Sequence, residues 1–364
     1  MKHWKETAEI YERIARLPDS GRRAAMATVI RVQGSSYRKA GAKFLVEDDG
    51  STLGSISGGC LEADVREIAR AVLREGVPRR LRYDTGGDDV SIFGLGLGCS
   101  GTVDLFIQPV SDGSAPGAID RVRALLDGDR VFAVCTVVGG SAAAGRVLVV
   151  SPDESFDGST GEPELDREVV RRAIAWMGEP ESAIRPVGTA EVFAEILTPP
   201  PGLVLFGAGE DTRPLCAYAA DAGFRVTVVD HRESLLSASR FPAATRRVSA
   251  RPADGAGALS IGPRSYAVVK THSFGHDRDW VRELLAAGAH HVGVLGPRAR
   301  TDEILRQLGA EDARDRVFGP VGLDLGAEGA EQIALSIVAE LLAIRSAREP
   351  VRLGRRDAKV DVAS

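Results

Sequence analysis

The sequence predicts an α/β chain in two parts: a mixed α/β domain over residues 1–198, and a doubly wound parallel sheet over 199–346 followed by a mobile tail at 347–364. Three observations carry this reading. At 364 residues the chain exceeds what one small core organises. The run Thr198-Pro199-Pro200-Pro201-Gly202 can continue neither a helix nor a central strand, so it marks the boundary. Directly beyond it, the buried-strand run Leu203-Val204-Leu205-Phe206 leads into GAGEDTRPL, a helical pattern to Ala222 and the strand FRVTVVD ending in Asp230. Strand, glycine turn, helix and strand in that order form the first unit of a Rossmann-like fold.

Composition narrows the class. Apolar residues make up 44% and charged residues 27%, as in a folded globular protein. The net charge of -5, with basic residues interleaved among acidic ones, argues against nucleic acid as a partner. The N-terminal stretch MKHWKETAEIYERIARL is amphipathic and carries acids throughout, so neither a secretory signal nor a membrane span is expected, and a cytoplasmic location follows. Cys60, Cys99, Cys135 and Cys216 lie far apart without a C-x-x-C pair, which points to reduced thiols rather than zinc or a disulfide framework.

In the first part, Ile10, Ile14 and Leu17 with Tyr11 give a helix face closed by Pro18. AAMATVIRVQ reads as a buried strand, GSSYRKAG as a loop and AKFLVED as a second strand ended by Asp48-Asp49-Gly50. In that loop Arg38 and Lys39, beside Ser35, Ser36 and Tyr37, either grip an acidic group or decorate a solvated turn. Next comes GSISGGCLEADV. A strand-like run stops at Gly58-Gly59, and Leu61, Val65, Ile68, Ala69 and Val72 then recur at helical spacing. Cys60 therefore falls near the first turn, where unpaired N–H groups and the helix dipole favour a thiolate, and the two glycines leave space in front of the sulfur. The plainer alternative is a turn with a small cysteine filling a gap.

RRLRYD follows as a strand, and the glycine-dense TGGDDVSIFGLGLGCSG places Cys99 in an open loop before an apolar strand from Thr102 to Val110. Cys135, inside VFAVCTVV, and Cys216, beside Leu215 and Ala217, read as core. A helix to Leu126, strands over 131–138 and 145–150, a polar turn-rich segment over 151–162, a helix through Val169 to Met177 and the strand AEVFAEIL complete this part.

In the second part Gly207 and Gly209 fit the first two glycines of a dinucleotide-binding turn, Thr212 stands at the third, and Asp230 lies about twenty residues on, where an acid accepts from a ribose hydroxyl. NAD is thus a candidate cofactor. The corresponding activity is an oxidoreductase using His272 or His276 for proton transfer. The strand from Tyr266 to Lys270, the loop THSFGHDRD, a helix from Trp280, a strand from His291, the turn GPRAR and a helix from Asp302 continue the fold. Gly275 keeps the H-x-x-x-H spacing in a loop, so a metal pair is not implied, and Asp277 reads as a helix cap beside a hydrogen-bonded His272. A glycine loop and an amphipathic helix bearing Ile333, Ile337, Leu341 and Ile344 end the domain.

Taken together, GSSYRKAGAKFLV, GSISGGCLEADV, the loop ending in GCSG, DHRESLLSASRFP, VGVLGPRAR and PVGLDLGAEGAEQIALSI resemble the XdhC/CoxI proteins, accessory factors of molybdenum hydroxylases, over nearly the whole chain. The resemblance implies a homodimeric maturation factor rather than a catalyst in its own right. Such a factor binds the molybdenum cofactor, protects it while a cysteine desulfurase installs a terminal sulfido ligand, and delivers it to an apo molybdenum hydroxylase. It implies Cys60 as the contact to sulfur or molybdenum. Gly58 and Gly59 would supply open backbone, Arg38 or Lys39 a grip on the phosphate, and Glu62 either a helix cap or a partner for the pterin. The chain departs from the family's usual pattern at Ser100, beside Cys99, and at Glu210-Asp211, which add negative charge where a phosphate would bind.

Overall fold

The computed structural model describes residues 2–34, 38–84, 101–110, 116–128, 130–179, 181–259 and 261–352. The chain divides into two compact units, one over His3–Pro199 and one over Pro200–Ser364. Among the described residues no helix is long and apolar enough to cross a membrane.

The first unit opens with helices α1 (Lys2–Ala15) and α2 (Leu17–Ser20). Strands β1 (Ala24–Gly34), β2 (Lys43–Glu47) and β3 (Thr52–Gly54) precede helix α3 (Glu62–Glu75), and β4 (Arg79–Asp84) and β5 (Gly101–Pro109) follow it. The chain then does the same again. Helix α4 (Pro116–Leu126) leads to β6 (Phe132–Gly139), β7 (Val147–Val150), β8 (Phe156–Gly158), helix α5 (Pro163–Trp176), β9 (Ala183–Val187) and β10 (Ala190–Leu197). The two antiparallel sheets have the orders β3-β2-β1-β5-β4 and β8-β7-β6-β10-β9, which are one topology used twice.

Register extends the equivalence to single residues. Thr28 pairs with Lys43 and Phe106, and Thr136 pairs with Val147 and Phe193. Met26 pairs with Gln108, and Val134 with Glu195. Both long central pairs carry a bulge at the matching place.

Each sheet buries one face under its own helix, as alternation demands. Val65, Ala69 and Val72 of α3 cover Ala25, Ala27 and Leu105, while Val169, Ala173 and Trp176 of α5 cover Ala133, Cys135 and Val192. The opposite faces meet through Ile30, Phe106, Val138 and Phe193, with α1 and α4 closing the sides.

In the second unit, β11 (Gly202–Phe206), α6 (Thr212–Asp221), β12 (Arg225–Asp230), β13 (Arg246–Ser249), β14 (Tyr266–Val269), α7 (Phe274–Ala286), β15 (His291–Val294), α8 (Arg298–Leu308), β16 (Val317–Phe318) and α9 (Gly329–Arg345) follow one another. The six strands are all parallel in the order β13-β12-β11-β14-β15-β16. Leu203 and Leu205 face α6 and α9, whereas Val204 and Phe206 face α7 and α8. This is a doubly wound Rossmann sheet, as the sequence predicts.

Four local expectations change. The segment over 151–162 contains β8, and β9, β13 and β16 join the sheets as short strands. Helix α7 starts at Phe274, because Ser273 accepts the His276 N–H and caps it, so His276 and Asp277 lie in a helical turn rather than a loop. Helix α8 starts at Arg298, within the expected turn GPRAR. On α9, Ile337 and Leu341 are buried but Ile333 is exposed.

Candidate functional site

The segment Ser55–Leu61 is wrapped around one carboxylate. Glu62, just inside α3 and 9% exposed, turns back so that its Oε1 accepts from the Ser55 hydroxyl at 2.9 Å and from the N–H groups of Ile56 and Ser57 at 3.0 Å. Its Oε2 accepts from the Ser57 hydroxyl and from the N–H groups of Gly59 at 3.0 Å and Leu61 at 3.2 Å. Burial alone would raise its pKa. The hydrogen bonds from Ser57, Ser55 and Ile56 outweigh burial and hold it at about 2, so the group is ionised at any physiological pH.

Cys60 sits half-buried at the outer corner of this loop, one residue before the helix N-cap Leu61. Glu62 takes the N–H donors of Gly59 and Leu61, the residues on either side of Cys60. The glycines do keep the corner open. A Cβ placed on Gly59 meets nothing within 4 Å, so its φ of 120°, and not lack of room, calls for glycine.

Arg38 ion-pairs with Glu6 at 2.8 Å, and Glu6 also accepts the Ser55 N–H at 3.1 Å. Arg38, Glu6, Ser55 and Glu62 thus form one chain of contacts that ends in the loop carrying Cys60. Lys39 is exposed. Cys99 and residues 35–37 lie outside the described residues. Burial pushes the thiol of Cys135 up to about 12 and that of Cys216 up to about 11, which leaves both as core side chains.

The matching loop of the second half has the same frame without the thiol. Gly158-Ser159 and Leu165-Asp166 repeat Gly54-Ser55 and Leu61-Glu62 at the same spacing. Asp166 accepts from the Ser159 hydroxyl at 2.6 Å and from the Thr160 N–H at 2.7 Å, as Glu62 does from Ser55 and Ile56. Where the first loop carries Cys60, the second carries Glu164. This repeat is what reading the chain for motifs missed. Its signal is the pattern G-S-x5-L-[DE], which occurs once in each half.

In the Rossmann unit the switch point lies between β11 and β14, and the chain's own charges pair beside it. Gly207 has φ 111°, and a Cβ there would meet the Lys270 carbonyl at 2.5 Å, so the first glycine position is obligatory for the fold. On Gly209 a Cβ would meet the Asp211 carboxylate at 2.7 Å. Asp211 receives the buried Lys270 ammonium at 2.7 Å, and Lys270 also donates to Thr212 at 2.7 Å. Burial lowers the pKa of Lys270 and the Asp211 carboxylate opposes that shift.

Asp230, expected to meet a ribose, gives both oxygens to protein. It accepts from the Ala208 N–H at 2.7 Å and from the Arg232 guanidinium at 2.8 and 3.0 Å. Burial would raise its pKa, but these bonds hold it at about 2. His272 faces Asp211 at 3.6 Å with φ 61°, and His276 packs edge-on to His231. Asp277 is no cap: it accepts from Thr271 and pairs with Arg300 at 2.6 Å.

The sequence model described as the XdhC and CoxI family matches residues 17–84 and 125–188, one stretch in each half of the first unit, and that of the XdhC Rossmann domain matches 203–341. The chain belongs to the XdhC and CoxI family. This XdhC/CoxI chain is 32% identical over 322 residues to a protein of Bacillus subtilis strain 168 described as a probable xanthine dehydrogenase subunit, covering 88% of the chain and 93% of that protein. A stretch of 89 residues is 34% identical to the molybdenum cofactor insertion chaperone PaoD of Escherichia coli strain K12, covering 24% of the chain and 27% of PaoD. A crystal structure described as a xanthine dehydrogenase from Bacillus halodurans superposes with a TM-score of 0.76 at 31% identity, over 93% of the XdhC/CoxI chain and 96% of that structure.

Proposed function

We propose that this chain is a molybdenum cofactor-binding accessory protein. In this role it holds the cofactor, shields it while a cysteine desulfurase partner sets the terminal sulfido ligand, and passes it to a xanthine dehydrogenase-type apo-hydroxylase. The observation that carries the reading is Cys60: a thiol added at the open corner of a loop whose second copy, otherwise built alike, lacks it. Family membership and the name of the PaoD relative support it.

A thiol is a soft ligand suited to molybdenum and to sulfur. Gly58 and Gly59 let a bulky pterin dithiolene approach it. The cofactor's phosphate meets the Glu62 carboxylate unfavourably, so its grip falls to Lys39 and to Arg38, the latter exchanging Glu6 for phosphate. The first unit handles the cofactor. The exposed Leu325, Ile333 and Leu335 of the second support self-association into a homodimer, and the free state of Cys60, Cys135 and Cys216 fits the cytoplasm. In the Rossmann crevice, Asp230 and Asp211 are engaged within the fold, and no observation there favours NAD.

The test is anaerobic loading of wild type and Cys60→Ala with molybdenum cofactor, followed by transfer to an apo-hydroxylase. The variant should melt as the parent does and retain the cofactor at least about tenfold more weakly, in line with the loss of a metal contact. Equal retention and equal transfer would remove Cys60 from the mechanism.

A further inference from the structure

Helix α3 carries a row of cations beside the loop that holds Cys60. Arg66, Arg70 and Arg74 stand four residues apart, so they share one flank of the helix over about 12 Å of its axis. The row begins one turn beyond Glu62. Arg70 pairs with Glu67 at 2.6 Å, but among the described residues Arg66 and Arg74 make no ion pair and no side-chain hydrogen bond. Arg66 is half-buried with its Nε–H enclosed and without an acceptor, whereas Arg74 is exposed.

The loop explains why Arg66 is unanswered. A glutamate four residues before an arginine is its natural partner on a helix, as Glu12 is for Arg16 and Glu168 for Arg172. Glu62 holds that position before Arg66, yet both its oxygens accept from Ser55, Ile56, Ser57, Gly59 and Leu61. The carboxylate that would neutralise Arg66 is committed to the turn.

The second half shows that the fold does not call for these cations. With Glu62 matched to Asp166, the positions of Arg66, Arg70 and Arg74 fall on Val170, Ile174 and Gly178. Val170 and Ile174 pack against the core of their sheet. Like charges at this spacing repel and weaken a helix, so the row does nothing for the stability of α3.

We propose that this flank docks an acidic segment of the protein that receives the cofactor. The identity of that protein rests on the chaperone reading, and the charge of its segment on the row itself. Unneutralised guanidiniums fit carboxylates, which arginine binds through paired hydrogen bonds. The row's place beside the Cys60 loop brings the receiving protein to the corner that holds the cofactor. Nucleic acid is a poorer occupant, because the chain as a whole carries a net charge of -5. Charges at the rim of an interface act mainly by steering the encounter, so their loss slows association more than it hastens release.

Association of the cofactor-free, full-length protein with an immobilised apo xanthine dehydrogenase is followed by interferometry at about 50 and about 500 mM NaCl. In Arg66→Gln/Arg74→Gln, glutamine keeps the helix propensity of arginine. This variant should associate about tenfold more slowly than the parent at the lower salt, and the higher salt should bring the parent down to the variant's rate. Transfer should slow in proportion, while cofactor retention and melting temperature stay those of the parent. Arg167→Gln/Arg171→Gln removes the same charge from exposed positions of α5 and should associate as the parent does. The proposal is overturned if the α3 variant associates at the parent's rate, if the α5 variant is slowed equally, or if the parent binds phosphatidylserine vesicles and not the hydroxylase. Failure of the chaperone reading shows elsewhere, as a parent that retains no cofactor.

Discussion

The two halves of the first unit share strand order, bulge position and a carboxylate-bound loop before the central helix, yet only one of them carries a cysteine at that loop. The difference separates architecture from chemistry. Both Glu62 and Asp166 gather the donors of the preceding turn, so the turn and its acid belong to the fold. What the first half adds is Gly58-Gly59-Cys60, and the second half is an internal control for it.

The sharpest way to break the comparison is to exchange its one chemical difference. Cys60→Glu, which writes the second loop's residue into the first, should keep the fold by circular dichroism and abolish cofactor transfer. Glu164→Ala should transfer as the parent does, and a loss there would show that the thiol is not what distinguishes the halves.

Removing the shared acid should cost stability in both. Glu62→Ala leaves the N–H groups of Ile56, Ser57 and Gly59 without their acceptor and should lower unfolding free energy by about 3 kcal/mol in urea. Asp166→Ala, which releases fewer bonds, should cost about 2 kcal/mol.

The acid also predicts a pH dependence. Glu62 is held near 2 in the folded chain against an ordinary 4.5, so the unfolded chain binds its proton first as pH falls. Its contribution is complete above about pH 4.5 and is lost progressively toward pH 2. Urea midpoints measured at pH 6 and pH 3 should therefore fall further for the wild type than for Glu62→Gln.

The smallest expected effect concerns the glycines of the two loops. Gly59→Ala and Gly161→Ala both meet open space at positive φ, of 120° and 86°, and each should cost about 1 kcal/mol from backbone strain alone. A far larger loss at Gly59 would reveal a contact at the Cys60 corner that the second loop lacks.

Much of the fold could be read from the chain because its central strands are continuous apolar runs and its helices repeat at 3.6 residues. The strands that escaped were edges. β9 carries Pro186, and β13 and β16 are short, so neither alternation nor length announces them. The start of α7 was obscured by Gly275, although Ser273 supplied a cap. At the candidate site, Cys60 and its glycines were legible as a type of corner. Its electrostatics were not, because the donors are claimed by a side chain that folds back from inside the helix. The partner of Arg38 was equally hidden, since Glu6 belongs to a helix far earlier in the chain. The engagement of Asp230 with Arg232 was local and could have been weighed from sequence alone.

The buried ion pair between Lys43 and Glu195 has a consequence for assembly during folding. Two look-alike sheets made by one chain invite wrong partners, either within a crowd of folding copies or by exchange of halves between neighbours. If two first halves met, each Lys43 would be shut in opposite a Gln108, and if two second halves met, each Glu195 would face a Val147. A buried charge that loses its counter-ion costs about 3–5 kcal/mol, so the pairing of unlike halves is favoured. The ion pair thereby favours the pairing of unlike halves, and refolding of the Lys43→Met/Glu195→Leu chain, followed by light scattering, should show exchanged species larger than those the native chain forms.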